Sequence, residues 1–147
     1  MKTSNAGGGF LQDLTIDGAP LYTRVADLLE RRNSTQRDAE GYGPCGAVVG
    51  ATYPTQLAEL RARMPSAWIL VPGFGAQGGA AADTAAAFDE RGLGAVINSS
   101  RGIIFAHRRK ELAGRFAESQ WQEAVEFATR EAIAQIAAET SAGKLRS

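Results

Sequence analysis

Two glycine-bearing stretches carry the residues best suited to hold an anion. The first is Val71-Pro-Gly73-Phe-Gly75-Ala-Gln77-Gly78-Gly79 and the second is Asn98-Ser99-Ser100-Arg101-Gly102. Glycine lets the backbone turn tightly and approach a ligand, and the start of a helix leaves amide N–H groups free to receive a phosphate. Arg101 adds a guanidinium that can give a phosphate two parallel hydrogen bonds. Gly102 permits close backbone approach beside it, and Ser99 and Ser100 offer hydroxyl donors. Gln77 supplies a long polar donor to the first stretch. Each stretch follows a short apolar run, so each reads as a loop at the C-terminal end of a strand. In a parallel sheet such ends open on one face, and a phosphate held by Gln77 and Arg101 is the chemistry this pairing predicts. Two plainer accounts compete with it: the glycines serve only close helix–strand packing, or Arg101 is a solvated surface charge.

Read literally, Gly73-Phe-Gly75-Ala-Gln-Gly78 is also a G-x-G-x-x-G. A dinucleotide fingerprint wants an acidic side chain about 20 residues later to hold a ribose hydroxyl, whereas Asn98 and Arg101 stand there. Arginine suits a phosphorylated ribose, so an NADP-binding reductase stays open as a rival. At the front, Lys2-Thr3-Ser4-Asn5 reads either as the end of another strand, with Ser4 and Asn5 facing a ligand, or as a frayed terminus. His107 has no neighbouring pattern of metal ligands and reads as a surface or helix-start residue. Cys45 reads as a small core residue. Of reacting groups there is little. The lysines are Lys2, Lys110 and Lys144, none clustered with carboxylates at a strand end, and no nucleophile motif, metal-ligand set or Gly-Lys-Ser/Thr phosphate loop is present. No catalytic residue, metal site or cofactor is assigned.

The elements that must position these loops follow from periodicity. Gly7-Gly8-Gly9 predicts a loop. Leu21, Val25, Leu28 and Leu29 form one helical face over Leu21–Arg32, with Asn33-Ser34 at its end. Cys45–Ala51 is an apolar run leading into a helix with Pro54 in its first turn and its end near Met64-Pro65. Ala67–Val71 and Gly94–Asn98 repeat the strand pattern. An alanine-rich helix over Ala80–Arg91 follows the first of them, with Asp83 in its first turn and Asp89 and Glu90 further along. Helices over Arg108–Ala117 and Trp121–Glu139 follow the second. Ser119 with Gln122 is a capping-box pattern, and Trp121, Val125, Ala128, Ala132 and Ile136 hold one face of the last helix. Apolar runs of this kind belong to parallel strands covered by helices. A (β/α)8 barrel needs roughly 250 residues, so the order of elements suits about half a barrel or a minimal open sheet.

Composition sets the outer bounds. The chain has 147 residues, 44% hydrophobic and 22% charged, with 16 basic against 16 acidic residues and one cysteine. That is room for one domain and no disulfide scaffold. A zero net charge speaks against a protein built to grip a nucleic-acid backbone or an anionic membrane. No stretch approaches about 18 apolar residues, and Met1-Lys2-Thr3-Ser4-Asn5 is not followed by a signal-peptide core, so a cytoplasmic protein is expected.

Lys2-Thr3-Ser4-Asn5, Val71-Pro-Gly-Phe-Gly-Ala-Gln-Gly-Gly79 and Gly94-Ala-Val-Ile-Asn-Ser-Ser-Arg-Gly102 together closely resemble the C-terminal part of orotidine 5′-phosphate decarboxylase, in the longer-chain bacterial subgroup. The resemblance extends over essentially the whole chain. It implies an α/β fold, the C-terminal half of a TIM (β/α)8 barrel from about the end of strand 5 through strand 8 and the terminal helices, as a single partial domain over residues 1–147. It implies a cofactor-free conversion of orotidine 5′-phosphate to uridine 5′-phosphate and CO2 in pyrimidine biosynthesis. Gln77, Arg101 and Gly102 then meet the substrate phosphate and Ser4 the pyrimidine ring. The partner is a second copy in a full-length homodimer, or a complementary N-terminal half-barrel. One departure is serious: the family's Asp-x-Lys-x-x-Asp set, on which its chemistry depends, is absent from this sequence. Electrostatic catalysis needs such preorganised charges, so the chain is expected to be inactive alone, as a truncation, a gene fragment or one subunit of a split enzyme. A binding half-barrel without catalysis is the nearest alternative.

Overall fold

The computed structural model describes residues 1–3, 5, 7–75 and 80–146. Its centre is a three-stranded parallel sheet of β3 (Gly46–Val48), β4 (Trp68–Pro72) and β5 (Ala95–Asn98) in that spatial order, with Val48, Leu70 and Val96 in one row and Pro72 beside Asn98. Preceding them are the short helix α1 (Gly8–Gln12), the antiparallel pair β1 (Thr15–Ile16) and β2 (Ala19–Pro20), and helix α2 (Leu21–Ser34). Helix α3 (Pro54–Arg63) joins β3 to β4, α4 (Ala81–Thr84) lies between β4 and β5, and α5 (Trp121–Glu139) follows β5. The result is a partial α/β fold of mixed parallel and antiparallel strands, of the kind an incomplete TIM-like barrel contains. Among the described residues no helix is long and apolar enough to cross a membrane.

Outside β3, on the side away from β4, Lys2 pairs with Val49 in parallel, and Gly50 N–H donates to the Lys2 carbonyl at 2.8 Å. The strand-end option for residues 1–3 therefore holds. Lys2 is buried, its ammonium paired with Asp13 at 2.6 Å and 4.7 Å from the Tyr53 ring centroid, while Gln12 accepts from Thr3 N–H. Helix α1 thus exists to pin this segment. The glycines at 7–9 do not make a loop, because Gly7 (φ 77°) turns the chain into a short helix that buries no side chain of its own.

Among the described residues, helices cover one face of the sheet. Ile69 and Val71 are fully buried against Leu57 and Leu60 of α3, with Ala47 and Val49 beside them. On the opposite face Val48, Trp68, Leu70 and Val96 are all exposed, Val96 by 53%. The apolar runs predicted cover on both faces; the described residues supply one. Helix α2 is also rotated from its predicted face: Val25 and Leu28 are exposed, and Tyr22, Thr23, Ala26 and Asn33 are buried instead. Its last turn carries Asn33, which is fully buried, donates to the carbonyls of Cys45 (2.8 Å) and Ser66 (3.1 Å) and accepts from Cys45 N–H (3.0 Å). Cys45 is half-buried and contributes its backbone to this clasp.

Three further expectations are corrected. The alanine-rich helix runs only over α4 and a tight turn at Ala85–Ala87, because Phe88 turns extended (φ −86°, ψ 152°). Asp89 therefore lies in a loop, where its carboxylate accepts from the N–H groups of Arg91 and Leu93 and from the Tyr42 hydroxyl; Asp83 does cap the first turn through Ala80 N–H. Arg108–Ala117 is not a helix: short turns at Ala106–Arg108 and Lys110–Leu112 replace it, ending at Gly114 (φ 87°). The predicted Ser119–Gln122 box is displaced by a bond from Ala117 N–H to the Gln120 side chain. Helix α5 itself has its predicted bounds, with Ala124, Ala128 and Ala132 buried and Trp121 exposed.

Candidate functional site

The register that sets Pro72 against Asn98 brings the loops after β4 and β5 side by side at the C-terminal end of the sheet. After β4, Gly73 (φ 98°) and Gly75 (φ 76°) adopt conformations that side-chain-bearing residues avoid. Between them Phe74 is buried, packed with Ala81 and Ala132. After β5, Ser100–Ile104 forms a single wide turn in which Phe105 N–H reaches back to the Ser100 carbonyl. Wide turns of this kind occur often at functional sites.

Ser99 joins the loops. Its hydroxyl donates to the Phe74 carbonyl at 2.7 Å, and a Cβ on Gly102 would stand 2.6 Å from the same oxygen. The glycine at 102 is thus required by the strut beside it. The hydroxyl proton of Ser99 is committed to Phe74, which corrects the expectation that this serine donates to a ligand. Arg101 is exposed and, among the described residues, pairs with no carboxylate. It lines two adjoining cavities. One, of about 100 Å³, sits over the strand ends between Pro72, Gly73, Asn98 and Ser100. The other, of about 410 Å³, has an apolar wall of Phe74, Ile103, Ala128 and Ala132 and also receives Arg109 and Glu131. The larger cavity falls within the range of roughly 300–1,000 Å³ typical of ligand sites.

The structure therefore brings Arg101 and Gly102 together at one cavity mouth. Ser4 and Gln77 lie outside the described residues. Of the lysines, Lys2 is committed to Asp13 and the tyrosine rings, and none of the three lines either cavity. Among the described residues no group of His, Cys, Asp and Glu side chains could hold a metal. His107 is half-buried, and its Nδ1 has no partner among the described residues. The arrangement can bind an oxyanion.

The opposite end of the sheet is built for stability. Arg61, largely buried, donates to the carbonyls of Met64, Ala67, Ala87 and Gly94, tying the N-terminal ends of β4 and β5 to α3; burial lowers its pKa, with nearby Tyr42 and Asp89 opposing. In β/α barrels function sits at the C-terminal strand ends and the other end serves stability. Gln12 and Asp13 are the supporting residues that sequence reasoning missed, and Ser99 was named there in a different role. A polar Gln-Asp pair closing a glycine-rich stretch was the available signal for the first two.

No family model matches the chain. It is 60% identical over 129 residues to orotidine 5′-phosphate decarboxylase of Rhodopirellula baltica, a match covering 88% of this chain and 43% of that protein. With the decarboxylase of a Janthinobacterium species the identity is 44% over 133 residues, covering 90% and 45%. Among solved structures, Leishmania donovani UMP synthase superposes with a TM-score of 0.64 at 38% identity, over 93% of this chain and 27% of that one. Sequence and structure together support membership of the orotidine 5′-phosphate decarboxylase family. Leishmania donovani OMP decarboxylase agrees, with a TM-score of 0.58 at 34% identity over 89% of this chain and 45% of that one. The chain spans less than half the length of the curated decarboxylases it matches here.

Proposed function

We propose that this chain is the C-terminal, phosphate-binding half of a (β/α)8-barrel orotidine 5′-phosphate decarboxylase of the longer-chain bacterial subgroup. The two glycine loops hold the phosphate of orotidine or uridine 5′-phosphate. Arg101 gives it a bidentate pair of hydrogen bonds, Gly102 lets the backbone approach, Gln77 adds a donor, and Ser4 meets the pyrimidine. The observation that carries this assignment is the strut from Ser99 to the Phe74 carbonyl, which ties the two loops together beside Arg101, an arginine with no carboxylate partner among the described residues.

Decarboxylation requires charged groups that face the substrate carboxylate and deliver a proton. The sequence has no Asp-x-Lys-x-x-Asp, and no lysine lines either cavity. Binding without turnover follows for the isolated chain, and a partner carrying the complementary half-barrel would supply the rest. The rival NADP-binding reductase draws no support from the relatives named above, which are decarboxylases and a UMP synthase.

Titration calorimetry of the isolated chain with uridine 5′-phosphate, uridine and NADPH tests the assignment. Uridine 5′-phosphate should bind, uridine should bind much more weakly, Arg101→Ala should abolish the difference, and no CO2 should be released from orotidine 5′-phosphate. Enzyme-like CO2 release, or NADPH binding in place of the nucleotide, would overturn it.

A further inference from the structure

The larger cavity holds a second guanidinium to which no role has been given. Arg109, just after the Ala106–Arg108 turn, lines it together with Arg101. Several arginines spend their donors close to home: Arg61 on five carbonyls, Arg24 on those of Ile16 and Asp17, Arg91 on Asp89 and Glu40. Arg109 differs. Its nearest carboxylate contacts are 3.6 Å to Glu111 and 3.8 Å to Glu131, beyond hydrogen-bond length. Among the described residues its side chain donates no hydrogen bond, although a guanidinium carries five N–H donors. Only charge holds it, and the partners are exposed, Glu111 by 72% and Glu131 by 42% of their side chains. Ion pairs of that kind are weak and easily exchanged.

A phosphate monoester carries a charge of about −1.5 to −2 at neutral pH, more than one arginine neutralises. We infer that Arg109 is a second phosphate-binding residue, which leaves Glu111 and Glu131 when a nucleotide monophosphate enters and closes a two-arginine clamp with Arg101. The inference rests on the phosphate site proposed above. Glu131 then acts as a competitor for the guanidinium and holds ligand affinity down. Glu111 does the same from the Lys110–Leu112 turn, so ligand entry is coupled to release of that turn from Arg109.

Calorimetry with uridine 5′-phosphate and with inorganic phosphate, on the whole chain and on Arg101→Ala, Arg109→Ala, Arg109→Lys and Glu131→Gln, decides the matter. Arg109→Ala should weaken nucleotide binding at least tenfold, about 1.4 kcal/mol, and Arg109→Lys by less. Glu131→Gln should strengthen it, which a merely structural role for Arg109 does not predict. Binding within twofold of wild type in Arg109→Ala, with Arg101→Ala still inactive, would refute the clamp and leave the Arg101 site standing. Should Arg109→Ala fail to fold, the Glu131→Gln result stands in for it, and an unchanged affinity there refutes the clamp. If the unaltered chain binds neither probe, or Arg101→Ala changes nothing, the phosphate site itself falls and the clamp with it.

Discussion

The strut between the two loops makes a quantitative claim about Ser99 and Gly102. Gly102 has no positive φ that would bar alanine, so the cost of Gly102→Ala comes from contact alone. The new methyl would lie 2.6 Å from Ser99 Oγ but 3.8 Å from Ser99 Cβ, so the hydroxyl must rotate away while the rest of the serine stays put. Rotation breaks the 2.7 Å bond to the Phe74 carbonyl. That bond is worth about 0.5–1.5 kcal/mol net, and leaving a buried carbonyl without a donor costs about 1–3 kcal/mol. Ser99→Ala removes the same bond and should cost the same, about 1–3 kcal/mol. In the double variant the clash is gone, since only the Cβ at 3.8 Å remains. The double variant should then be no less stable than Ser99→Ala, and more stable by about 0.4–1 kcal/mol if alanine restrains the unfolded chain. Urea unfolding followed by tryptophan fluorescence of all four proteins gives the cycle. Uridine 5′-phosphate affinity, lost in parallel in both single variants, checks that the strut serves the site. Single-variant costs that simply add, within about 0.3–0.5 kcal/mol, would refute the strut.

Two other perturbations follow from the same kind of reasoning. Asn33→Ala strands the Cys45 N–H and the Cys45 carbonyl, while the Ser66 carbonyl keeps the Gly43 N–H as donor, so urea unfolding should show a loss of about 2 kcal/mol or more, whereas a loss under about 1 kcal/mol would mean water replaces the amide. Burial alone would push the Asp89 carboxyl up, but N–H donation from Leu93, the Tyr42 hydroxyl and the Arg91 side chain hold it below its ordinary value. Its stabilisation is therefore complete above the unfolded value of about 3.9 and lost as pH falls through the lower folded value. Asp89→Asn should cost about 1–3 kcal/mol at neutral pH, with the gap to wild type closing below about pH 4 in thermal melts; a gap unchanged down to pH 3 would contradict this.

Where the sequence was legible, the reason was local. Each of the three parallel strands announces itself as a short apolar run with glycine or proline at one of its ends, Pro54 marks the start of α3, and the 19-residue α5 keeps its bounds because nothing inside it breaks the helical pattern. Arg101 and Gly102 stand where the sequence put them, in the loop directly after β5 and beside the loop after β4. The misses were decided by contacts distant in sequence. Helix α2 offers two faces, and the apolar one over Val25 and Leu28 lost to the face carrying Tyr22 and Asn33, whose partners Glu59, Cys45 and Ser66 lie well beyond it. Alanine propensity could not extend α4 through Phe88, because Asp89 gains more by holding the turn before β5. The β1–β2 hairpin did carry a local signal, Asp17-Gly18 with both residues at positive φ, the pair such tight turns favour.

The sheet's two faces explain why binding groups and reacting groups part company here. The covered face, Ile69 and Val71 against α3, needs only this chain to form, and it fixes the strand ends from which the two glycine loops spring. The face carrying Val48, Leu70 and Val96 is the inner surface of any barrel built from these strands, since the helices lie on the other side. Side chains that reach a barrel's reaction centre come from the ends of several strands around a closed ring. Among the described residues, the three parallel strands and the segment at residues 1–3 would cover one arc of such a ring. A phosphate can be gripped from one arc, because two adjacent loops and an arginine suffice. Charge must be placed around a reacting carbon from several directions at once, which one arc cannot do. The site proposed for this chain is therefore one whose geometry is local to neighbouring strands.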